Sequence, residues 1–478
     1  MSFLSVSGEK IVDADGKQVI LRGAGLGGWM NMRSCTPHQL LLTGYPGREF
    51  QIRAALARVV GKDKSEFFFE KFLEYFFTEA DAKFYKSLGL NCIRIAFNYR
   101  HFEDDMNPRV LKESGFRHLD RVINLCSQYG IYTVLDMHTA PGGQNCDWHS
   151  DSPTHVAAFW EHKDFQDRTV WLWSELAKHY KDNPWIAGYN PLNEPTDPSQ
   201  EQLIKVYDRI HDAIRAHDTK HILFWDGNTF ASDFSHFGDA HKRWTNSAYS
   251  IHDYSVFGFP DAPAKYEGTA EQARRLKRSF EKKMEWMKER GLAVWNGEWG
   301  PVYARKEVDG DQTDAINEVR FHVLKDQLAL YEEVKVGWSI WLYKDIGFQG
   351  MTYVSPETPY MKLLAPFLAK KQRLAIDAWG ADDSTPELRA AYKPLEDFVE
   401  RNIEPKYRDL YPQPHWPWKL RIARVARSIL LAEYMVEEWA EYFRGKTEEE
   451  LDAIAASFRF ENCLKRDTLN DILTSTLV

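Results

Sequence analysis

Glu194, in the run N-P-L-N-E-P (190–195), and Glu298, in G-E-W-G (297–300), each stand where an apolar run gives way to a polar loop. Other polar side chains hold equivalent places: Arg94, Asp136 and His138, Asn193, Asp226, His252 and Tyr254, then Trp341, Lys344 and Asp345. If those runs are neighbouring strands pointing the same way, all of these side chains converge at one end. Two carboxyl groups facing each other, with Arg, His and Tyr between them, suit glycoside hydrolysis. One gives a proton to the departing oxygen and the other attacks the anomeric carbon as a carboxylate. Arg94 and a hydrogen bond from Tyr254 are expected to keep Glu298 charged. Glu194, with fewer cationic neighbours, is expected to hold its proton longer. Asn193 is placed to bind the 2-hydroxyl of the reacting sugar, and Trp341 to offer it a ring face.

The elements that must position these groups are legible as eight short apolar runs, at 19–25, 91–97, 132–138, 186–194, 221–227, 249–254, 292–299 and 337–343. Their near-continuous apolar character fits strands buried on both faces of a parallel sheet. Amphipathic segments at 116–129, 164–181, 200–216, 270–290 and 315–334 lie between them. This alternation predicts an α/β fold, a closed (β/α)8 TIM barrel, with functional groups at the C-terminal ends of the strands. An open doubly wound sheet would call for a Gly-rich phosphate-binding turn after an early strand, and the sequence has none there. Residues 5–22 read as an N-terminal β-hairpin turning at Asp15-Gly16. Beyond the barrel, 370–417 reads as irregular, 418–443 as one long amphipathic helix, and Thr447 with Glu450 as a capping box. The expected division is a catalytic domain at 1–368 and a largely helical C-terminal extension at 369–478, packed on the barrel.

The motifs N-P-L-N-E-P, G-E-W-G, I-H-D-Y (251–254), N-C-I-R-I (91–95) and W-L-Y-K-D (341–345) together resemble glycoside hydrolase family 5. That family belongs to a clan of barrel hydrolases with catalytic glutamates on strands four and seven. The resemblance spans roughly 10–365, with all five motifs in order. It implies Glu194 as acid/base, Glu298 as nucleophile and Asn193 as the 2-hydroxyl ligand. It further implies Arg94, His138, His252 and Tyr254 as the supporting polar shell and Trp341 as the innermost sugar platform. The general look is that of fungal, exo-acting, β-glucosidase- or β-glucanase-like members. The expected reaction is therefore double displacement on β-linked glucosides, with a carboxyl separation of about 5–5.5 Å and no cofactor or metal.

Two other readings use the same residues: a transglycosylase that passes the glycosyl-enzyme intermediate to another sugar, and a barrel that binds carbohydrate without turning it over. A metal-dependent hydrolase built on Asp136, His138 and His252 would need more converging ligands than these strand ends supply. The polar run C-D-W-H-S-D (146–151) is expected to form part of the substrate wall, with Trp148 as an outer-subsite ring; a surface loop with one packed Trp is the alternative. Lys344 and Asp345 are expected either to reach sugar hydroxyls or to pair with each other. The apolar centre of 28–47, at 34–42, stands where a polar loop at the mouth is expected, and reads as a lid, a buried insertion or an irregularity of the gene-derived sequence. With 17 Trp and 22 Tyr, ring platforms for sugars are plentiful. The net charge of −9 argues against nucleic acid as the partner, and carbohydrate is the expected one. The N-terminal residues lack a basic-then-apolar leader pattern, no apolar stretch is long enough for a membrane span, and the five cysteines are scattered. A cytoplasmic setting is the expectation, with secretion the alternative if a leader has been removed.

Overall fold

The computed structural model describes residues 2–32, 47–152, 154–376, 385–408 and 417–475. Eight strands close into a barrel: β1 (Arg22–Met30), β2 (Cys92–Asn98), β3 (Tyr132–Thr139), β4 (Ile186–Asn190), β5 (Ile222–Asp226), β6 (Ser247–His252), β7 (Val294–Glu298) and β8 (Gly337–Ile340). Every neighbour pair is parallel, and β8 returns to β1 through Trp338 opposite Arg22 and Ile340 opposite Ala24. The strands are buried almost throughout, as their unbroken apolar runs require. The apolar run read as extending to Glu194 ends as strand at Asn190, because Pro191 has no N–H to give to a ladder. Glu194 is therefore carried on a loop just beyond the strand.

Helices lie between the strands where periodicity placed them: Glu113–Gln128, Lys163–Tyr180, Gln202–Arg215, Ala270–Lys288 and Thr313–Val334. The connection from β1 to β2 holds three more, α1 (Glu49–Val60), α2 (Lys62–Phe76) and α3 (Glu79–Ser87). The insertion centred on 34–42 lies outside the described residues.

Three expectations are corrected. The N-terminal hairpin joins Ser5–Ser7 to Lys10–Val12, so its turn sits at Gly8, where φ is +59°; Asp15-Gly16 makes a separate small turn closed by Val12 opposite Gln18. The region expected to be irregular contains a 17-residue helix, Pro386–Asn402, started by Pro386 behind the capping hydroxyl of Thr385. The long helix at 418–443 is three joined pieces: Trp418–Arg424, a π-helical stretch Val425–Leu431, and Ala432–Glu441. The capping box at Thr447 and Glu450 does start a helix, Glu448–Ala455.

From Ala432 onward the C-terminal elements share one continuous apolar core with the barrel, while Leu388 and Tyr392 of the helix Pro386–Asn402 form a small separate cluster with Ala375. Phe458 packs edge-on to Phe72 and stacks on Phe76, while Phe443 meets Phe68. The strand Cys463–Lys465 pairs antiparallel with Thr352–Val354 in the segment that follows β8. No helix among the described residues is long and apolar enough to cross a membrane.

Candidate active site

Arg94 of β2 is the centre of charge. Its guanidinium donates to Glu298 Oε1 at 2.5 Å, to Asn193 Oδ1 at 2.7 Å and to Asn190 Oδ1 at 2.9 and 3.1 Å, and lies 3.1 Å from Asp136 Oδ2. Its side chain has no exposed surface. Burial disfavours its charge, but the carboxylates of Asp136, Glu298 and Asp226 more than offset that and raise its pKa. The pairing with Asp136 is real, yet it is one corner of a larger network that includes the strand-seven glutamate.

Glu298 ends β7 with no exposed surface. Its Oε1 takes the Arg94 bond, and its Oε2 accepts from the Tyr254 hydroxyl at 3.0 Å. Burial pushes its carboxyl above the usual range, with His252 and Arg94 pulling the other way. Two directed donors make it an acceptor on both oxygens, as an ionised carboxylate is.

Glu194 sits opposite, at φ +49°, with its backbone N–H on Asp226 Oδ2 at 2.9 Å. His252 Nδ1 lies 2.7 Å from Oε1, and His149 Nε2 lies 2.9 Å from Oε2. Glu194 is thus held by two histidines, whereas the guanidinium of the site lies on Glu298, in keeping with the expectation that Glu194 has fewer cationic neighbours. An oxygen of Glu194, an oxygen of Glu298 and a ring nitrogen of His252 all lie within 4.8 Å of one another. Burial works against charge on His252, but Glu298, Asp226 and Glu194 outweigh it and raise its pKa.

The remaining sequence-derived residues gather round this pair. His138 Nδ1 is 2.5 Å from Asp136 Oδ2, and its Nε2 is 3.2 Å from Asn193 Nδ2. Burial drives the Asp136 carboxyl well above its ordinary range despite Arg94 beside it. The Trp341 ring stacks on His138 at 5.2 Å between centroids. Gly25 also lies against the indole, where a Cβ would come within 2.6 Å of the ring, so only glycine permits that approach. Trp148 begins the short turn Trp148–Ser150, and its side chain lies outside the described residues.

Lys344 and Asp345 neither face the site nor pair with each other. Lys344 points outward to Asp81 at 2.6 Å and to the carbonyls of Phe76 and Phe458, while Asp345 accepts three backbone N–H groups at 347–349. Lys344 thus ties α2, α3 and the C-terminal region together, while Asp345 closes its own turn.

The loop after β3 was expected as substrate wall, but sequence reasoning missed Gln144, Asn145 and His149 as the residues that fasten it to the catalytic strand ends. Gln144 bonds the carbonyls of His138 and Asn193, and Asn145 bonds the carbonyl of Glu194. The run of amide and acidic residues at 144–151 was the available signal, but amides that fasten a loop look the same in sequence as amides that solvate one. Against this loop, Phe230 lies with its ring 6.1 Å from that of His149 and its N–H on the Pro195 carbonyl. Thr229, Phe230 and Ala231 all have φ near +56°, a left-handed run without glycine that costs about 1–2 kcal/mol per residue. Two trios have ligand-atom spacing suited to a cation, Glu194, His252 and Glu298, and Cys146, Asp147 and His155. A guanidinium already occupies each neighbourhood, Arg94 on Glu298 and Arg424 on Asp147, and its charge opposes a second cation.

Comparison with known proteins bears on what such a site does. A family model described as Cellulase (glycosyl hydrolase family 5) matches residues 60–346. The chain is 69% identical to a beta-xylosidase of Phanerodontia chrysosporium, over 99% of this chain and 98% of that protein. It is 24% identical to Endoglucanase C of Acetivibrio thermocellus, over 64% of this chain and 94% of the other. Among solved structures, an endogalactoceramidase matches with a TM-score of 0.50 at 18% identity, over 71% of this chain and 74% of that one, a likeness of fold.

Proposed function

The chain belongs to glycosyl hydrolase family 5, and from that premise we propose that it is a retaining, exo-acting β-xylosidase with Glu298 as nucleophile and Glu194 as acid/base. The observation that carries the mechanism is the approach of the two carboxyl groups, with oxygens within 4.8 Å. Inverting enzymes hold their carboxyls about 6.5–9.5 Å apart to admit a water between them. With one oxygen of each carboxyl within 4.8 Å of the other, the pair stands nearer the retaining spacing of about 5–5.5 Å, which supports a covalent intermediate.

In the first step a Glu298 oxygen attacks the anomeric carbon. The glycosidic bond breaks, and Glu194 gives its proton to the departing oxygen. In the second step Glu194 takes a proton from water, the water oxygen bonds to the anomeric carbon, and Glu298 leaves as a carboxylate. Arg94 and Tyr254 stabilise the charge on Glu298 at the start and end of the cycle. Asn193, anchored by Arg94, is the 2-hydroxyl ligand, and Trp341 with His138 forms the floor under the sugar ring.

The pentose assignment is supported by the 69% identity to a protein named beta-xylosidase. The motif resemblance keeps β-glucosides as the second reading. Exo action is supported by the motif resemblance alone. The test is hydrolysis of aryl β-xylosides, aryl β-glucosides and β-linked xylo-oligomers by wild type and Glu298→Ala, with the released anomer followed by NMR. The reading predicts first release of β-xylose and an inactive variant. Release of the α-anomer would sink the retaining mechanism, and a preference for glucosides would move the sugar assignment.

A further inference from the structure

We propose that His149, oriented by Asn145, is a positioning residue that keeps the acid proton on Glu194 until the glycosidic oxygen arrives. The inference rests on Glu194 being the acid/base, as argued above.

It begins with the amide of Asn145, which is wholly buried. Its Oδ1 accepts from the backbone N–H of Asp147 at 3.0 Å, and its Nδ2 donates to the carbonyl of Glu194 at 2.9 Å. Turning the amide over would set N–H against N–H and oxygen against oxygen, so the orientation is fixed by two contacts. Nδ2 also lies 2.6 Å from His149 Nε2. Facing a donor, Nε2 must present its lone pair, which makes His149 the neutral tautomer with its hydrogen on Nδ1. That Nδ1 has no partner among the described residues, so the ring is committed through Nε2.

The same Nε2 stands 2.9 Å from Glu194 Oε2. The single lone pair on Nε2 is shared between the Asn145 N–H and Glu194; facing a carboxylate it repels, and facing a carboxylic acid it accepts the O–H as a second, bifurcated bond. The other oxygen, Oε1, accepts from His252 Nδ1 at 2.7 Å. One oxygen donating and one accepting is the pattern of a protonated carboxyl. The charged and titratable groups facing Glu194 are His149 and Asp147 from the loop after β3, Asp226 from β5, His252 from β6 and Glu298 from β7. Among them only His149 offers an acceptor positioned on Oε2. During turnover the proton stays on Oε2, moves to the leaving oxygen as the glycosidic bond breaks, and returns to Glu194 from the attacking water, where His149 accepts the hydrogen bond again.

Acid assistance matters in proportion to how poor the leaving group is, which separates this role from a structural one. The experiment measures kcat/KM of wild type, His149→Leu, His149→Gln and Glu194→Ala on aryl glycosides of graded leaving-group acidity, using the sugar the wild type cleaves best. Full general-acid catalysis is worth about 10²–10⁴-fold. We expect His149→Leu to lose roughly tenfold or more on phenyl and alkyl glycosides and no more than about threefold on the dinitrophenyl glycoside. His149→Gln, whose amide oxygen can take the place of Nε2, should recover most of the loss. An equal loss across all leaving groups, or no recovery by glutamine, would overturn the inference. Should His149→Leu fail to fold, the leaving-group series on His149→Gln against His149→Asn, which cannot reach Oε2, decides the same point. Glu194→Ala keeps the two levels apart. If its losses do not grow with poorer leaving groups, Glu194 is not the acid and the functional reading itself falls. If they do grow while the His149 variants show no such trend, only the role of His149 falls.

Discussion

Arg94 carries its charge with no solvent contact and ties together Glu298, Asp136, Asn190 and Asn193. Removing one partner from such a network leaves charges buried and uncompensated, which typically costs about 3–5 kcal/mol. Arg94→Leu is therefore expected to lower the unfolding free energy by about that amount in a denaturant titration, and to abolish turnover. A stable Arg94→Leu protein would mean that the neighbouring carboxyls neutralise by taking up protons at little cost. A milder probe of the same neighbourhood is Gly25→Ala. Its new Cβ must displace the Trp341 ring, so kcat/KM should fall while far-UV circular dichroism stays unchanged.

The elements around the barrel are coupled to the site through buried polar pairs. Arg424, at the end of the helix Trp418–Arg424, donates to Asp147 at 2.8 Å with both side chains buried, and Asp147 belongs to the loop that carries Asn145 and His149. Burial pushes the Asp147 carboxyl up to about 6 even with Arg424 beside it. Arg424→Leu should destabilise the protein by about 3–5 kcal/mol, and Arg424→Leu with Asp147→Leu should recover much of that, since the pair's desolvation cost is then removed with it. A double variant no better than the single one would show that the guanidinium matters beyond this pair. At the start of α1, Glu49 accepts from the Met32 N–H and pairs with Arg53 and His101. Burial acts to raise its pKa, but His101 and Arg53 prevail and lower it to about 2. The folded value lies below the unfolded 4.5, so the unfolded chain binds the proton first as the solution is acidified. Glu49 stabilises the fold above pH 4.5, and about 3 kcal/mol should disappear between there and pH 2. Glu49→Gln should remove that part of the acid dependence of unfolding.

Across the whole molecule the apolar core is continuous from the barrel helices into the C-terminal elements. The rings of Phe443 and Phe458 belong to the same packing as Phe68, Phe72 and Phe76. A shared core of this kind is expected to unfold cooperatively. Calorimetry should give one transition; two resolved transitions would mean that the extension is an independent unit. Truncation after 376 would strip the cover from α1 and α2 and expose those rings, so an insoluble product is expected.

The barrel and its chemical end were legible in the residues alone. Parallel strands buried on both faces are apolar along most of their length, so the polar residues at their ends are the ones that can reach the site, which is why Arg94, Asn193, Glu194, His252, Tyr254 and Glu298 could be named in advance. The sequence did not reveal which way Lys344 and Asp345 turn, because the path of the chain after β8 is set by what it packs against. Nor could it separate the amides of Gln144 and Asn145 from those of an ordinary surface loop, since their partners are the backbone carbonyls of strand ends about 50 residues away. The arrangement of His149, Asp147 and Arg424 around Glu194 is of the same kind. It joins a loop, a strand end and a C-terminal helix brought together only by the closed barrel and its shared core, so only the tertiary structure could decide it.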